Sequence, residues 1–366
     1  MKFLKSLNKK NLSGKTCLLR VDFNVEKGKE KNSLRLKAIL PTIKFLIDKK
    51  TKIVILSHRG RPVKKNRKEF SLKPFARFLS ENPAKKINFI NNFDFRDIKQ
   101  KIENSSPLSV FLLENLRFLV GEEKNDAKLA KQLASLGDFY VNDAFSVSHR
   151  ENASVSAITK FLPSYAGLLL ENEIKNLDLV VKNPKRPLIV ILGGNKVLDK
   201  IGLINNFLNK ADYFLLGGGI ANTLFAAQGL PVGDSLYEEK MIFVARRILK
   251  SKKIILPLDV AIHDRKILDI GPKTAKKYGE IIKKAKIVIW NGPLGYFEDK
   301  RFAKGSLAVA EAVAKSGTRA IVGGGETAFL MSKVKGQRSN VFLSTGGGAM
   351  LEYLAGKGLP AIEALK

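Results

Sequence analysis

Two periodicities share this chain of 366 residues. Short runs rich in Val, Ile, Leu and Phe recur along it, and stretches of helical, amphipathic period separate them, which predicts βα units built on parallel sheets. In the first half the apolar runs predict strands over Thr16–Val25, Ile53–Ser57, Ile87–Ile90, Ser109–Leu113 and Phe139–Asn142, with helices such as Leu34–Lys49 and Asp126–Leu136 between them. In the second half they predict strands over Leu188–Leu192, Tyr213–Leu216, Ile254–Pro257, Ile287–Trp290, Ala320–Val322 and Val341–Ser344. Between the halves, apolar residues at Leu170, Ile174, Leu177 and Val181 form one helical stripe that Pro184 and Pro187 close. That helix, over residues 169–183, reads as a bridge between two α/β domains.

Composition supports a folded chain throughout: 45% of residues are apolar, 27% are charged, and no long polar low-complexity tract occurs. At the N-terminus, Lys5, Asn8 and Lys9 break the apolar stretch before it forms a signal-peptide core. No run is long enough for a membrane helix, and the single cysteine, Cys17, lies in a strand-like run where it has no intrachain disulfide partner. A reducing, cytoplasmic location is the expectation. The balance of 65 Lys plus Arg against 34 Asp plus Glu, net +31, raises nucleic-acid binding as a reading. The lysines are instead spread along solvated helix faces, with no basic tail or zinc-finger spacing, so the charge reads as a diffuse field that attracts small anions.

Candidate chemistry gathers at the strand ends. Four strands of the second half run into glycine clusters that open helices, LGGNKV, LGGGIANTL, VGGGETAFL and STGGGAMLEYL, and a fifth ends in WNGPLGYFE. Glycine permits close backbone approach, and first-turn amides carry the positive end of the helix dipole, so a phosphate-bearing ligand is expected along that edge. The P-loop pattern G-x-x-x-x-G-K-[ST] does not occur. Gly323, Gly325 and Ala328 do match G-x-G-x-x-A, but the next strand ends in Ser344 and Thr345 without the acid that holds a ribose. An NAD(P)-dependent reductase is therefore the alternative reading. The first half carries Asp22 and Asn24, His58 and Arg61, Arg117, and His149 and Arg150 at its strand ends, with Arg35 opening a helix nearby. Several arginines and a histidine on one edge predict a cleft for a small polyanion.

These strings, RVDFNV, LLENLRF, YVNDAF, GGNKVLDK, LDIGPKT, WNGPLGYFE and STGGGAMLEYLAGKGLP, resemble the phosphoglycerate kinase family in the family's own order, over nearly the whole chain. The resemblance implies two Rossmann-like three-layer domains with parallel sheets joined by a hinge helix. The N-terminal domain would span 1–168, the linker 169–184 and the C-terminal domain 185–352, with the tail 353–366 packing back near the first. It implies reversible transfer of the 1-phosphoryl group of 1,3-bisphosphoglycerate to Mg-ADP, giving 3-phosphoglycerate and ATP, with domain closure, in a monomer that needs no membrane and no dedicated nucleic acid. By resemblance, Asp22, Asn24, Arg35, His58, Arg61, Arg117 and Arg150 would bind phosphoglycerate. Gly194, Lys196, Lys200, Gly218, Gly219, Asn291, Glu298, Gly324, Gly325, Glu326 and Thr327 would bind nucleotide. Arg35, Lys200, Gly325 and Gly348 would stabilise the moving phosphoryl group, and Glu326 would hold magnesium.

Several positions depart from the family pattern. Glu326 stands where aspartate is usual, Asn195 where alanine is, Asn152 where a second histidine is, and Arg59 where leucine is common, adding a cation near the substrate pocket. Between DVAIHDRK and ILDIGPKT the family carries a longer stretch that forms part of the adenine wall, and Ile267 falls where its closing glycine would be. A catalytically weakened relative is the second alternative that these departures raise.

Overall fold

The computed structural model describes residues 1–25, 28–81, 86–334 and 339–366. The chain divides into two compact units, Met1–Ile174 with Gly358–Lys366, and Lys175–Lys357. The first is built on six parallel strands: β1 (Thr16–Arg20), β2 (Lys52–Leu56), β3 (Ile87–Ile90), β4 (Val110–Leu113), β5 (Phe139–Asn142) and β6 (Ser164–Ala166). They lie in the order β3-β4-β2-β1-β5-β6. Every residue of β1, β2, β4 and β5 is buried, so these strands read as unbroken apolar runs rather than alternating ones, as in sheets covered on both faces. The helices are α1 (Leu34–Asp48), α2 (Lys73–Glu81), α3 (Phe95–Glu103) and α4 (Ala127–Ala134). Local capping sets their starts: Ser33 Oγ accepts from the Leu36 amide, Asp94 from those of Arg96 and Asp97, and Asp126 from that of Leu129. Helix α5 (Leu168–Val181) contains the boundary between the units.

The second unit holds β7 (Leu188–Leu192), β8 (Tyr213–Leu216), β9 (Ile254–Ile255), the hairpin β10 (Val260–His263) and β11 (Lys266–Ile270), then β12 (Ile287–Asn291), β13 (Arg319–Gly323) and β14 (Val341–Ser344). Its main sheet is also parallel, in the order β14-β13-β12-β7-β8-β9. The strand order therefore reverses between β7 and β12, which opens a ligand crevice at their carboxyl ends. Helices α6 (Leu198–Phe207), α7 (Gly218–Ala227), α8 (Ile242–Leu249), α9 (Pro272–Lys284), α10 (Lys304–Lys315), α11 (Gly325–Ser332) and α12 (Gly348–Leu354) accompany it. The core gathers around fully buried Trp290 and Tyr278, whose hydroxyl donates to the Leu216 and Ile255 carbonyls at 2.8 and 2.9 Å. The last segment, with α13 (Pro360–Glu363), belongs to the first unit, where the Ala361 amide donates to the Ser148 carbonyl at 3.1 Å.

The strand expected over Thr16–Val25 stops at Arg20. Val21 and Phe23 stay buried, but side chains take over the backbone bonds: the Phe23 amide donates to Ser57 Oγ at 2.9 Å and the Asn24 amide to Asp22 Oδ1 at 2.7 Å. Burial pattern does not distinguish a buried strand from a buried turn. The strand expected over Ile254–Pro257 is only Ile254–Ile255. Strand β6 and the β10–β11 hairpin lie outside the sequence-based expectation. The hairpin occupies the segment where the resemblance implies a longer stretch. Its turn residues Asp264 and Arg265 both have left-handed φ, 45° and 59°, as a tight two-residue loop demands.

Candidate active site

In the first unit the strand ends hold a charged, largely buried constellation. Asp22, just past β1, is 3% exposed; Arg35 Nη1 lies 3.1 Å from its Oδ2, Ser146 Oγ donates to the same oxygen, and the Asn24 amide donates to Oδ1. Burial opposes its charge, but His58, Arg35, the Ser146 hydroxyl and the Asn24 amide outweigh it and hold the carboxyl down to about 2. Arg35 also donates to the Asn24 carbonyl at 2.9 Å, and Asn24 Oδ1 accepts from the Gly60 amide at 2.9 Å, so these residues lock one another.

His58 follows β2 and is 2% exposed. Burial lowers its pKa to about 3; Asp22 pulls the other way, and repulsion from Arg20, Arg117 and Arg150 adds to the lowering. The ring is neutral at physiological pH. Arg117 follows β4 and donates to the Gly60 carbonyl, with its Nε 3.1 Å from Glu123. Burial and the neighbouring Arg150, Arg20 and Arg61 depress its pKa, while Glu123 raises it. Arg150 Nε donates to His149 Nε2 at 3.2 Å, and Arg61 is exposed. The predicted cations thus share one field at one carboxyl edge.

Arg59 does not add a free cation to this pocket, contrary to the expectation. It is 6% exposed, stacks on Phe75 at 5.5 Å and donates to the carbonyls of Val25 and Glu69 at 3.2 and 3.3 Å. Its long side chain is spent on fastening the loop after β2. Sequence reading also missed a deeper layer. Arg20, at the end of β1, is 1% exposed and reaches Ser154, His58 and Glu122, and Asn152 Nδ2 donates to Glu122 at 3.4 Å. Its signal was an arginine ending an apolar strand that is covered on both faces.

In the second unit the glycine turns meet where the strand order reverses. The Gly193 amide donates to the Asn291 carbonyl at 3.0 Å, that of Gly194 to Pro293 at 2.7 Å, that of Gly217 to Leu192 at 3.0 Å and that of Gly218 to Leu294 at 2.8 Å. A Cβ on Gly219 would come within 3.0 Å of the Asn195 backbone, so the α6 and α7 turns touch at glycine distance. Asn291 and Thr327 tie the turns from inside: Asn291 Nδ2 donates to the Gly323 carbonyl at 3.1 Å, and Thr327 Oγ1 accepts from the Gly292 amide at 2.8 Å.

The expectation that every such turn offers free amides does not hold for α6. Glu238 Oε2 already accepts from the Val197 and Leu198 amides at 2.8 and 3.0 Å. The helix start at Gly325, after Gly324 with φ 93°, has no such carboxylate cap, and its first-turn amides have no acceptor within the helix. Glu326 is exposed in that first turn. Lys200 on α6 is 7% exposed; burial lowers its pKa, Asp199, Glu326 and Glu238 raise it, and Lys196 lowers it further. Lys196 and Glu298 are exposed, on the segments that follow β7 and β12. Gly323 of the G-x-G-x-x-A match serves packing, since a Cβ there would collide with Met350.

Among the described residues no group of three or more His, Cys, Asp and Glu could hold a metal ion, and no helix is long and apolar enough to cross a membrane. A family model described as phosphoglycerate kinase matches residues 7–357. The chain is 44% identical to phosphoglycerate kinase of Pseudothermotoga lettingae, over 97% of this chain and 96% of that one. It is 41% identical to the Finegoldia magna enzyme of the same name, over 99% and 98%. Among solved structures, phosphoglycerate kinase from Pyrococcus horikoshii superposes with a TM-score of 0.87 at 33% identity, covering 100% of this chain and 98% of that one. The Coxiella burnetii structure gives 0.84 at 37%, covering 98% of each.

Proposed function

The chain belongs to the phosphoglycerate kinase family, and we propose that its two carboxyl-edge constellations divide one phosphoryl transfer between them. The activity is that of a phosphotransferase with a carboxyl acceptor: the 1-phosphoryl group of 1,3-bisphosphoglycerate passes to ADP, giving 3-phosphoglycerate and ATP, and the reaction runs both ways. The reductase reading fails with the missing ribose acid and the packing role of Gly323.

The first unit binds the glycerate phosphates. Arg61, Arg117 and Arg150 supply the positive field for the 3-phosphate, and forked guanidinium donors suit its oxygens. Asp22 and Asn24 hold Arg35 in place, and His58 meets the ligand as a neutral ring. The second unit binds the nucleotide phosphates at the switch point. Gly324 to Thr327 present backbone donors, Gly194, Gly218 and Gly219 allow close approach, and Lys196 and Lys200 provide charge. Arg35 and Lys200, with the amides of Gly325 and Gly348, stabilise the transferring group; an acyl phosphate needs alignment and charge neutralisation more than an acid or base. Glu326, with Asn291 and Glu298 on the same edge, completes the site.

Glu326 suits magnesium as one exposed carboxylate beside backbone donors, because magnesium is held by one or two carboxylates with the substrate's own phosphates. Bound there, the ion would neutralise phosphate charge. Lys200 carries the reading: it is a buried cation in the shared field of Glu326 and Lys196 at the reversal of strand order. We place the enzyme in the cytoplasm, as a monomer, with α5 as part of the hinge that lets donor and acceptor oxygens come into line.

The test is a coupled assay with 3-phosphoglycerate and Mg-ATP, followed through a dehydrogenase that consumes the acyl phosphate. Turnover is expected, with Lys200→Ala lowered about 100-fold or more. No turnover, with Lys200→Ala indistinguishable from the parent, would sink the assignment.

A further inference from the structure

Beneath the Asp22–Arg35 constellation, a buried charged cluster ends on His58. Arg20 is 1% exposed and makes four contacts through the three nitrogens of its guanidinium. Nε donates to Ser154 Oγ at 2.9 Å, Nη1 donates to the Val21 carbonyl, and Nη2 lies 3.2 Å from His58 Nδ1 and 3.9 Å from Glu122 Oε1. Glu122 is completely buried and is fixed in turn: it accepts from Ser154 Oγ at 2.6 Å, from the Ser154 amide at 3.0 Å and from Asn152 Nδ2 at 3.4 Å. Tyr140 is also buried here, with its hydroxyl on the Ser154 carbonyl at 2.8 Å.

A guanidinium has donors only. His58 Nδ1 is therefore the acceptor in its contact with Arg20, and a neutral imidazole whose Nδ1 accepts carries its proton on Nε2. The rival partner is Asp22, whose Oδ1 stands 3.8 Å from the same Nδ1. That is beyond hydrogen-bond distance, but it would favour the opposite tautomer, with the proton on Nδ1, if Arg20 were absent. No other hydrogen bond forms at His58 among the described residues, so Nε2 is left for a ligand.

We propose that Arg20 is a positioning residue: the buried Arg20–Glu122–Ser154 network holds His58 in the tautomer that presents Nε2–H, so that the ring donates to an anionic oxygen of the substrate. This rests on the functional reading of the first unit as the phosphoglycerate site. The direction of donation matters because a ring with a bare Nε2 would oppose the same oxygen with a lone pair. The network also gives Asn152 a role: it stands where the family has a second histidine and supplies a neutral donor to Glu122.

The tautomer can be read without turnover. In ring-15N-labelled protein, which has three histidines, His58 is assigned by its loss in His58→Gln. At pH 7 the wild type should show a protonated Nε2 and a bare Nδ1. Arg20→Met should move the proton to Nδ1 or yield an imidazolium, and should raise KM for 3-phosphoglycerate about tenfold with a much smaller change in kcat. Arg20→Lys, which keeps a donor and a charge, should restore much of both. Arg20→Met leaves Glu122 without its cation, so Arg20→Met/Glu122→Gln serves in its place if the single variant fails to fold. A protonated Nδ1 in the wild type, an unchanged ring pattern when Arg20 is removed, or a changed pattern with an unchanged KM would each overturn the proposal. Absence of turnover in the wild type would instead strike at the phosphoglycerate reading, and the ring spectrum would still decide what Arg20 does to His58.

Discussion

Asp143 should make the first unit less stable as pH rises toward neutrality, and Asp143→Asn should remove that dependence. The residue follows β5, is 1% exposed, and accepts from the Leu170 amide of α5 at 3.0 Å through Oδ1. Its Oδ2 is buried without a hydrogen-bond partner, and Gly167 packs so closely that a Cβ there would collide with the carboxyl. Burial pushes the pKa up to about 7, against the lowering effect of Thr42 and the Leu170 and Leu169 amides. In the unfolded chain an aspartate titrates near 3.9, so between about pH 4 and 7 the folded state binds more protons than the unfolded one. Stability from this group is then complete below about pH 4 and is lost as pH rises through 7. A rise from near 3.9 to about 7 corresponds to at most about 4 kcal/mol. Asparagine keeps the Oδ1 acceptor but buries an amide with no acceptor, at a pH-independent cost of about 1–3 kcal/mol. Urea unfolding of both proteins from pH 4.5 to 8 should show the variant weaker at the acid end and level or stronger above pH 7. A difference that stays flat across the range, or an Asp143 carboxyl that titrates below about pH 5 by NMR, would refute the argument.

Four further outcomes can be checked. His58 runs the other way: its pKa falls to about 3 on folding, so its contribution is complete above about pH 6.5 and is lost as pH falls toward 3, and His58→Gln should flatten the acid limb of the unfolding profile. In the hairpin, Asp264→Asn with Arg265→Gly suits the two left-handed turn positions and should raise stability by about 0.5 kcal/mol in thermal unfolding, since the Arg265–Asp234 and His263–Asp264 pairs it removes are exposed. Lys200→Ala should lose activity in the coupled assay while its thermal midpoint stays level or rises, because a desolvated cation is removed; a large drop in midpoint would make Lys200 structural. Solution scattering should give a smaller radius of gyration with both substrates bound than without them, and an unchanged value would argue against hinge closure.

The apolar runs were enough to place most strands of both sheets, because strands covered on both faces leave an unbroken hydrophobic signature. The glycine turns and the arginines at strand ends were equally legible, since each depends on a residue type at a strand boundary. What pattern alone could not supply was which boundary faces which. The reversal of order between β7 and β12 decides that Gly193, Asn291 and Pro293 meet, and pairings between distant strands are not written in local periodicity. Burial of charge was likewise invisible: Arg20 and Lys200 are cations in a strongly basic chain, and only packing shows them desolvated. The same holds for Arg59, which the sequence alone offered as a pocket cation and which Phe75 and two carbonyls claim for the loop. The two-sheet α/β architecture and the residue types at the strand ends follow from local patterning and were legible before any tertiary contact was known. Which charges lose their water and which hydrogen bonds reach His58 emerge only on folding, because desolvation and donor direction arise from neighbours far apart in the chain.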